Sequence, residues 1–186
     1  MNYDFDHKGL DARSTEQWQR FIKHLPPGSD LLTVVLKSHL LIEEKLTELI
    51  NLSVADPTPL SGFRLSFEIK QRFAQSLVRI SGAPNFWPTI TALNNVRNRL
   101  GHEVEPLDLD KKLSVFFDAA EGHPGQPNRL LDRDAKTRGV EGIKYYCFVI
   151  LTQIFALSEV LRIHKKNHNP VEIELPPFQP RNFSQD

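Results

Sequence analysis

The fold of this chain is decided by residues 29–52, SDLLTVVLKSHLLIEEKLTELINL. Apolar side chains recur in this stretch every three or four positions, which is the spacing of one face of an α-helix. Ser29 or Asp30 stands just before the periodic run, where either residue would cap a helix N-terminus. The stretch therefore predicts a long helix that ends near Leu52 and buries one side.

The same spacing recurs on both sides of this helix, and the alternation typical of β-strands is scarce. The sequence predicts an all-α fold, a helical bundle of five to six helices. Residues 1–28 are assigned to an N-terminal helical preamble, 29–166 to the bundle and 167–186 to a Pro-rich extended tail. The other predicted helices span 14–24, about 65–80, a fourth helix from near Pro88 through Leu100, about 109–119 and 140–166, with a long exposed loop over 121–138.

Local sequence signals predict the start of one of these helices and the apolar face of another. Ser14 and Gln17 have the spacing of a capping box, so the first helix is expected to begin at Ser14. In the third helix, Ile69, Phe73, Leu77 and Ile80 fall in phase and predict its apolar face.

Composition and charge bound the function. The 186 residues suit one domain, and 23 basic residues balance 23 acidic ones, so a nucleic-acid role would need a local basic patch. The single cysteine, Cys147, lies among apolar residues and is expected to be an inert core thiol. No uninterrupted apolar run approaches the roughly 18 residues that span a bilayer, and the N-terminus is polar. We therefore expect a cytoplasmic protein without a membrane association.

The chemically richest segment is LNNVRNRLGHEVEP, residues 93–106. Asn98 and His102 are four residues apart and share a helical face. Arg97 and His102 are five apart, about 140° around an unbroken helix. Because glycine tolerates unusual backbone angles, Gly101 is expected to end or bend this helix and to release His102 from helical phase.

Two interpretations of this segment stay open on the residues alone. Arginine and histidine in a last helical turn complement the negative end of the helix dipole, and asparagine and glycine are ordinary terminators. Alternatively, His102 moves protons near neutral pH, and Arg97 binds phosphate with its fork of donors. Such a pair can cleave RNA without a metal, and a two-fold dimer would bring two copies of the histidine together.

The segment RNRLGH, residues 97–102, resembles the signature of HEPN domains, in which an arginine and a polar residue precede a histidine. Upstream, SHLLIEEKLTELI (38–50) and LSFEIKQRFAQSL (65–77) resemble the first two core helices of one branch of that superfamily. The resemblance implies a HEPN-like all-α bundle, a homodimer and, in active members, a metal-independent ribonuclease. It carries Arg97 and His102 over as the catalytic pair and Asn98 as the polar residue that orients them.

The resemblance supports two functions of different classes. The first is a HEPN-type endoribonuclease that acts on RNA without metal or cofactor, as a toxin or anti-phage defence effector with an antitoxin or regulatory protein as a partner. The second is a noncatalytic adaptor or transcriptional regulator, similar to the mannitol-operon repressor, that works through protein contacts. A nucleotide-binding or nucleotidylated partner of another enzyme is a weaker third interpretation.

Two further groups of residues are candidates. His39 and Glu43 share a face of the second helix, as a hydrogen-bonded pair, as part of a weak metal site, or as support for His102. The basic run RIHKKNHN, residues 162–169, is either a solvated helix end or a surface that steers an RNA backbone, to which Lys70 and Arg72 could add.

Overall fold

The computed structural model describes residues 7–80, 83–121 and 139–167, and these ranges form six α-helices. The prediction of an all-α bundle of five to six helices is confirmed. Most of the predicted 121–138 loop and of the 167–186 tail lies outside the described residues. The helices are α1 His7–His24, α2 Leu31–Ser53, α3 Phe67–Leu77, α4 Phe86–His102, α5 Leu109–Glu121 and α6 Val140–Asn167, with a short 3-10 turn at Thr58–Leu60.

Helix α2 is the centre of the bundle. Asp30 caps it, because its carboxylate accepts a hydrogen bond from the Thr33 backbone N–H at 2.9 Å. Its buried positions cover about half of its circumference, and it packs against α6, α3 and α4. One helix therefore supplies the core contacts for three neighbours, and it fixes where α4 lies.

Helix α6 is the longest element and packs most extensively on α2. Among the described residues, Val140–Lys165 alone is long and apolar enough to cross a membrane by length and composition, although no uninterrupted apolar run reached that length in the sequence. A core helix of a soluble protein passes the same test, and α6 buries Ile143, Ile150 and Ile154 in the bundle. The length and composition of α6 are therefore only weak support for a membrane span.

Helix α1 begins at His7, so the predicted start at Ser14 is wrong. The helix runs through Ser14, whose side chain is exposed. An ion pair of the preceding residue, Arg13, attaches this part of α1 to α6. The Arg13 guanidinium donates to both carboxylate oxygens of Glu159 on α6, at 3.1 and 2.6 Å. One turn later, Trp18 packs edge-to-face on Phe148 of α6, with 4.7 Å between the ring centroids.

Helix α3 buries a different face from the one that its sequence pattern predicts. Ile69, Phe73 and Leu77 of the predicted apolar face are exposed. The opposite face, formed by Phe67, Gln71, Ala74 and Val78, is buried instead. A glutamine can occupy this face because its amide nitrogen donates to the Trp87 carbonyl and the Thr91 hydroxyl of α4, at 3.2 and 2.6 Å.

Cys147 is fully buried on α6, as the sequence predicted. Burial disfavours the thiolate and raises the pKa of Cys147 to about 12, against a smaller opposing effect of the Ser38 hydroxyl. At neutral pH the thiol is protonated and shielded, so it behaves as a small apolar side chain.

Candidate functional site

Helix α4 presents the polar residues of the 93–102 segment beside its core face. The buried apolar positions in its central turns are Ile90, Leu93 and Val96. Since each residue advances about 100° around the axis, Asn94, Arg97 and Asn98 follow one another along the edge of that face. All three side chains are half-buried, so they lie at the boundary between the core and solvent.

Among the described residues, the hydrogen-bond partner of Arg97 is a neutral amide. Its Nη1 donates a hydrogen bond to Asn98 Oδ1 at 3.1 Å, and among the residues that the structure describes no carboxylate forms an ion pair with it. Several other half-buried cations form ion pairs: Lys70, for example, is 2.8 Å from the Glu43 carboxylate. A guanidinium that is partly desolvated and lacks an acid keeps its attraction for an external anion.

The expectation that Gly101 ends or bends α4 is wrong. The helix continues through Gly101 to His102, and the backbone N–H of Glu103 still donates to the Arg99 carbonyl at 3.2 Å. In the described chain, positive φ angles occur only at two other glycines, Gly28 and Gly62. A Cβ at this position would be 3.8 Å from Arg97 Nη1, which is an ordinary contact, so Arg97 does not require a glycine here.

His102 therefore stays in helical phase at the end of α4, with an exposed side chain. Around the helix it lies about 140° from Arg97 and about 40° from Asn98. Within the described part of the chain no hydrogen bond links its ring to Arg97. The structure brings Arg97 and Asn98 together and leaves His102 on the solvent side of Asn98.

Arg99 points away from this group. It forms ion pairs with Glu103 and Asp108 and so ties the end of α4 to the start of α5. The bond from Arg99 holds the pKa of the Asp108 carboxyl below its ordinary value. Arg99 serves the structural role of a helix-end arginine, which leaves Arg97 without such a role.

His39 of α2 reaches this site through Asn94, a partner that the sequence pattern did not predict. Its Nε2 donates to Asn94 Oδ1 at 3.0 Å, and its ring stacks on Phe67 with 3.9 Å between centroids. The expected His39–Glu43 hydrogen bond does not form, because Glu43 pairs with Lys70. Helix α2 does pack against α4, but His39 meets the middle of that helix rather than the end that carries His102.

The charge state of His39 follows from its surroundings. It is only 4% exposed, and this burial lowers the pKa of its ring below the ordinary value. The Arg97 charge lowers the pKa further, whereas the Asn94 hydrogen bond and the Glu43 charge oppose the shift. His39 is thus neutral at pH 7. The effect of the Arg97 charge on the pKa of His39 shows that the two side chains interact electrostatically.

The described part of the basic run at 162–169 is used within the fold. Arg162 forms ion pairs with Glu48 and Glu159. Lys165 donates to the Asn51 and Val54 carbonyls at the end of α2, at 3.3 and 3.1 Å. These contacts favour the interpretation as a helix end that stabilises its neighbours.

The donor set around Arg97 is poor in metal ligands. Within 7–80, 83–121 and 139–167, no group of three or more histidine, cysteine, aspartate or glutamate residues could hold a metal ion. The chemistry available at the site rests on amides, a guanidinium and imidazole rings. Each of these can bind or protonate an oxyanion directly.

Comparison with known proteins places no relative beside this chain. No family model, no curated protein and no solved structure matches it. The likeness to HEPN domains therefore stays with the 93–102 segment and the order of its helices. Function has to be argued from the site itself.

Proposed function

We propose that this protein is a metal-independent endoribonuclease of the HEPN type. The observation that carries the proposal is Arg97, a half-buried guanidinium whose hydrogen-bond partner is the Asn98 amide and which has no ion pair among the described residues. His102 lies on the next turn of the same helix, exposed to solvent. The two side chains lie about 140° apart around α4, with Asn98 between them, so the proposal places the anion at Arg97 and Asn98 and the proton carrier on their solvent side.

The proposed reaction is transesterification within RNA. The ribose 2′-oxygen forms a bond to the adjacent phosphorus while the bond from phosphorus to the 5′-oxygen breaks, which leaves a 2′,3′-cyclic phosphate and a 5′-hydroxyl. One His102 ring accepts the proton of the 2′-hydroxyl, or donates one to the departing 5′-oxygen. Arg97 stabilises the negative charge that builds on the phosphate, and Asn98 orients the guanidinium.

A homodimer completes this site in the proposal. One histidine cannot readily act as base and acid in the same turnover, and the second copy supplies the other ring. Support for self-association comes from the exposed apolar stripe of α3, formed by Ile69, Phe73 and Leu77. Such stripes on a surface helix are typical of protein interfaces.

The direct test is cleavage of an RNA substrate in the presence of EDTA, with analysis of the product ends. Wild type should give 2′,3′-cyclic phosphates, and Arg97→Ala and His102→Ala should reduce cleavage by at least about 100-fold. Asn95→Ala, at an exposed neighbouring position of α4, and His24→Ala, in α1, are matched controls that should cleave like wild type. Equal cleavage by wild type and His102→Ala would contradict the proposal.

Regulation or adaptor activity is the second candidate, and the α3 stripe favours it as well. In that case the stripe binds another protein, such as an antitoxin or a transcription factor, and His102 has no catalytic role. Phe73→Glu would then abolish partner binding, whereas His102→Ala would leave it intact. The two candidates differ in a simple expression test, since only a ribonuclease predicts growth inhibition that His102→Ala relieves.

A further inference from the structure

Each of the two half-buried amides beside Arg97 has its carbonyl oxygen directed at a donor of the protein. Asn94 Oδ1 accepts from His39 Nε2 at 3.0 Å, and Asn98 Oδ1 accepts from Arg97 Nη1 at 3.1 Å. Both carbonyl oxygens are thus engaged inside the protein. Neither Nδ2 group donates to another residue in the part of the chain that the structure describes.

The consequence is a surface that offers donors and few acceptors. A side-chain amide has an acceptor at one end and two N–H donors at the other, and a guanidinium has donors alone. With their oxygens engaged, Asn94 and Asn98 have N–H groups left to donate beside Arg97, at helical spacing i, i+3 and i+4. We call these three side chains the donor cradle.

We propose that Asn94 is a further phosphate-binding residue of this site and that His39 is the positioning residue that fixes its amide. The ligand class is a phosphodiester, whose nonbridging oxygens accept from the Asn94 amide, the Arg97 guanidinium and the Asn98 amide. This ligand assignment rests on the proposed function, but the polarity of the donor cradle stands on its hydrogen bonds.

His39 is suited to positioning because its ring is buried and stacked on Phe67. The Asn94 oxygen selects the tautomer that carries its proton on Nε2, and in that tautomer Nε2 offers Asn94 a donor. A rotation of the Asn94 amide by 180° would place its own N–H groups against that donor. His39 therefore holds the Asn94 carbonyl inward and its N–H groups toward the ligand.

Binding of a 2′-O-methyl RNA oligonucleotide tests the proposal without cleavage, because this probe lacks the nucleophile. Asn94→Ala removes the donors and should weaken binding about 5-fold, and Asn94→Asp replaces them with an acceptor and should weaken it more than 10-fold. Asn95→Asp is the matched control, with the same charge change at the next, exposed position, and it should weaken binding less than 2-fold. Equal effects of Asn94→Asp and Asn95→Asp, wild-type affinity of Asn94→Ala, or no binding by wild type would overturn the proposal.

A second pair of variants tests the positioning role of His39. Gln at this position keeps an N–H donor for Asn94 Oδ1, whereas Leu keeps bulk and loses the donor, so His39→Leu should weaken binding and His39→Gln should retain most of it. In an Asn94→Ala background, His39→Leu should lower Tm but should not weaken binding further. Additive effects on affinity would show that His39 does not act through Asn94.

The two proposals can fail separately. If wild type binds the oligonucleotide in an Asn94-dependent manner but cleaves no RNA, the proposed catalysis fails and the donor cradle stands. If wild type cleaves RNA and Asn94→Ala binds and cleaves equally well, the donor cradle fails and the proposed catalysis stands.

Discussion

Arg97 and Arg99 differ, at the scale of a single residue, in how their charges are paired. Two positions away, Arg99 has two carboxylate partners that tie α4 to α5. Arg97 is held by an amide instead, so its charge is positioned without being neutralised. A protein selected for stability alone gains little from a half-buried charge of this kind, which is why the pairing pattern is informative.

Gly101 leads to a prediction about stability. Because α4 is helical through this residue, Gly101→Ala should stabilise the protein by at most about 1 kcal/mol, with less gain near a helix end. The added Cβ would be 3.8 Å from Arg97 Nη1, an ordinary contact, so RNA cleavage should persist. Chemical denaturation and a cleavage assay check both parts. A loss of cleavage with unchanged stability would indicate that α4 must bend at Gly101 during the reaction.

His39 leads to a prediction about pH. Its pKa in the folded protein lies below the ordinary value of 6.5, so the unfolded chain takes up the proton first as pH falls. The contribution of His39 to stability is therefore complete above about pH 6.5 and is lost as the pH falls below that value. The denaturation midpoint of wild type should drop more between pH 7.5 and 5.5 than that of His39→Gln. Parallel pH dependences of the two proteins would contradict a neutral, buried His39.

At the scale of elements, α3 shows why the direction of a helix face is harder to predict than the helix itself. Three large apolar residues in phase, Ile69, Phe73 and Leu77, outweigh Gln71 and Ala74 in any hydrophobic pattern. The structure buries the weaker face because Gln71 bonds to α4 and Ala74 permits a close approach. The exposed stripe then becomes a surface that requires its own explanation.

The stripe can be tested with two neighbouring substitutions. Phe73 is exposed in the single chain, so Phe73→Glu should leave the chain folded, and it should convert the proposed homodimer into monomers, as measured by analytical ultracentrifugation. Ala74 is fully buried, and Ala74→Glu should unfold the protein because it places an unpaired charge in the core. A Phe73→Glu protein that remains dimeric would exclude the stripe as the surface of self-association.

Local signals account for most of the fold that could be predicted from sequence. The Asp30 cap, the periodic run that follows it and Pro88 in the first turn of α4 placed two central helices correctly. Ser14 misled because an interior serine followed by glutamine has the spacing of a cap. Asn94 was not predicted as the partner of His39 because the two residues are 55 positions apart, and no local pattern reports such a contact.

At the scale of the whole molecule, the charge balance restricts how RNA can bind. Basic and acidic residues are equal in number, and several cations outside the donor cradle are paired with acids. Binding should therefore depend on a few phosphate contacts rather than on a broad basic surface.

This restriction predicts a shallow salt dependence. For single-stranded RNA, the logarithm of the binding constant should fall with the logarithm of salt concentration with a slope of about −1.5 to −2, near −0.7 for each phosphate neutralised. Arg97→Ala should reduce the magnitude of the slope by about 0.7. Oligonucleotide titrations at several salt concentrations measure this slope for both proteins. An unchanged slope in Arg97→Ala would mean that Arg97 does not contact a phosphate.

The central position of α2 also limits how the chain can vary in length. His39 faces α4, whereas Lys45, six residues later, bonds to Glu48 on the side where Arg162 of α6 also reaches that carboxylate. One residue inserted between His39 and Lys45 would rotate one set of contacts by about 100° relative to the other. We therefore expect insertions and deletions to be tolerated in the connection at 54–66, and a single-residue change of length within α2 to disconnect the site from the rest of the bundle.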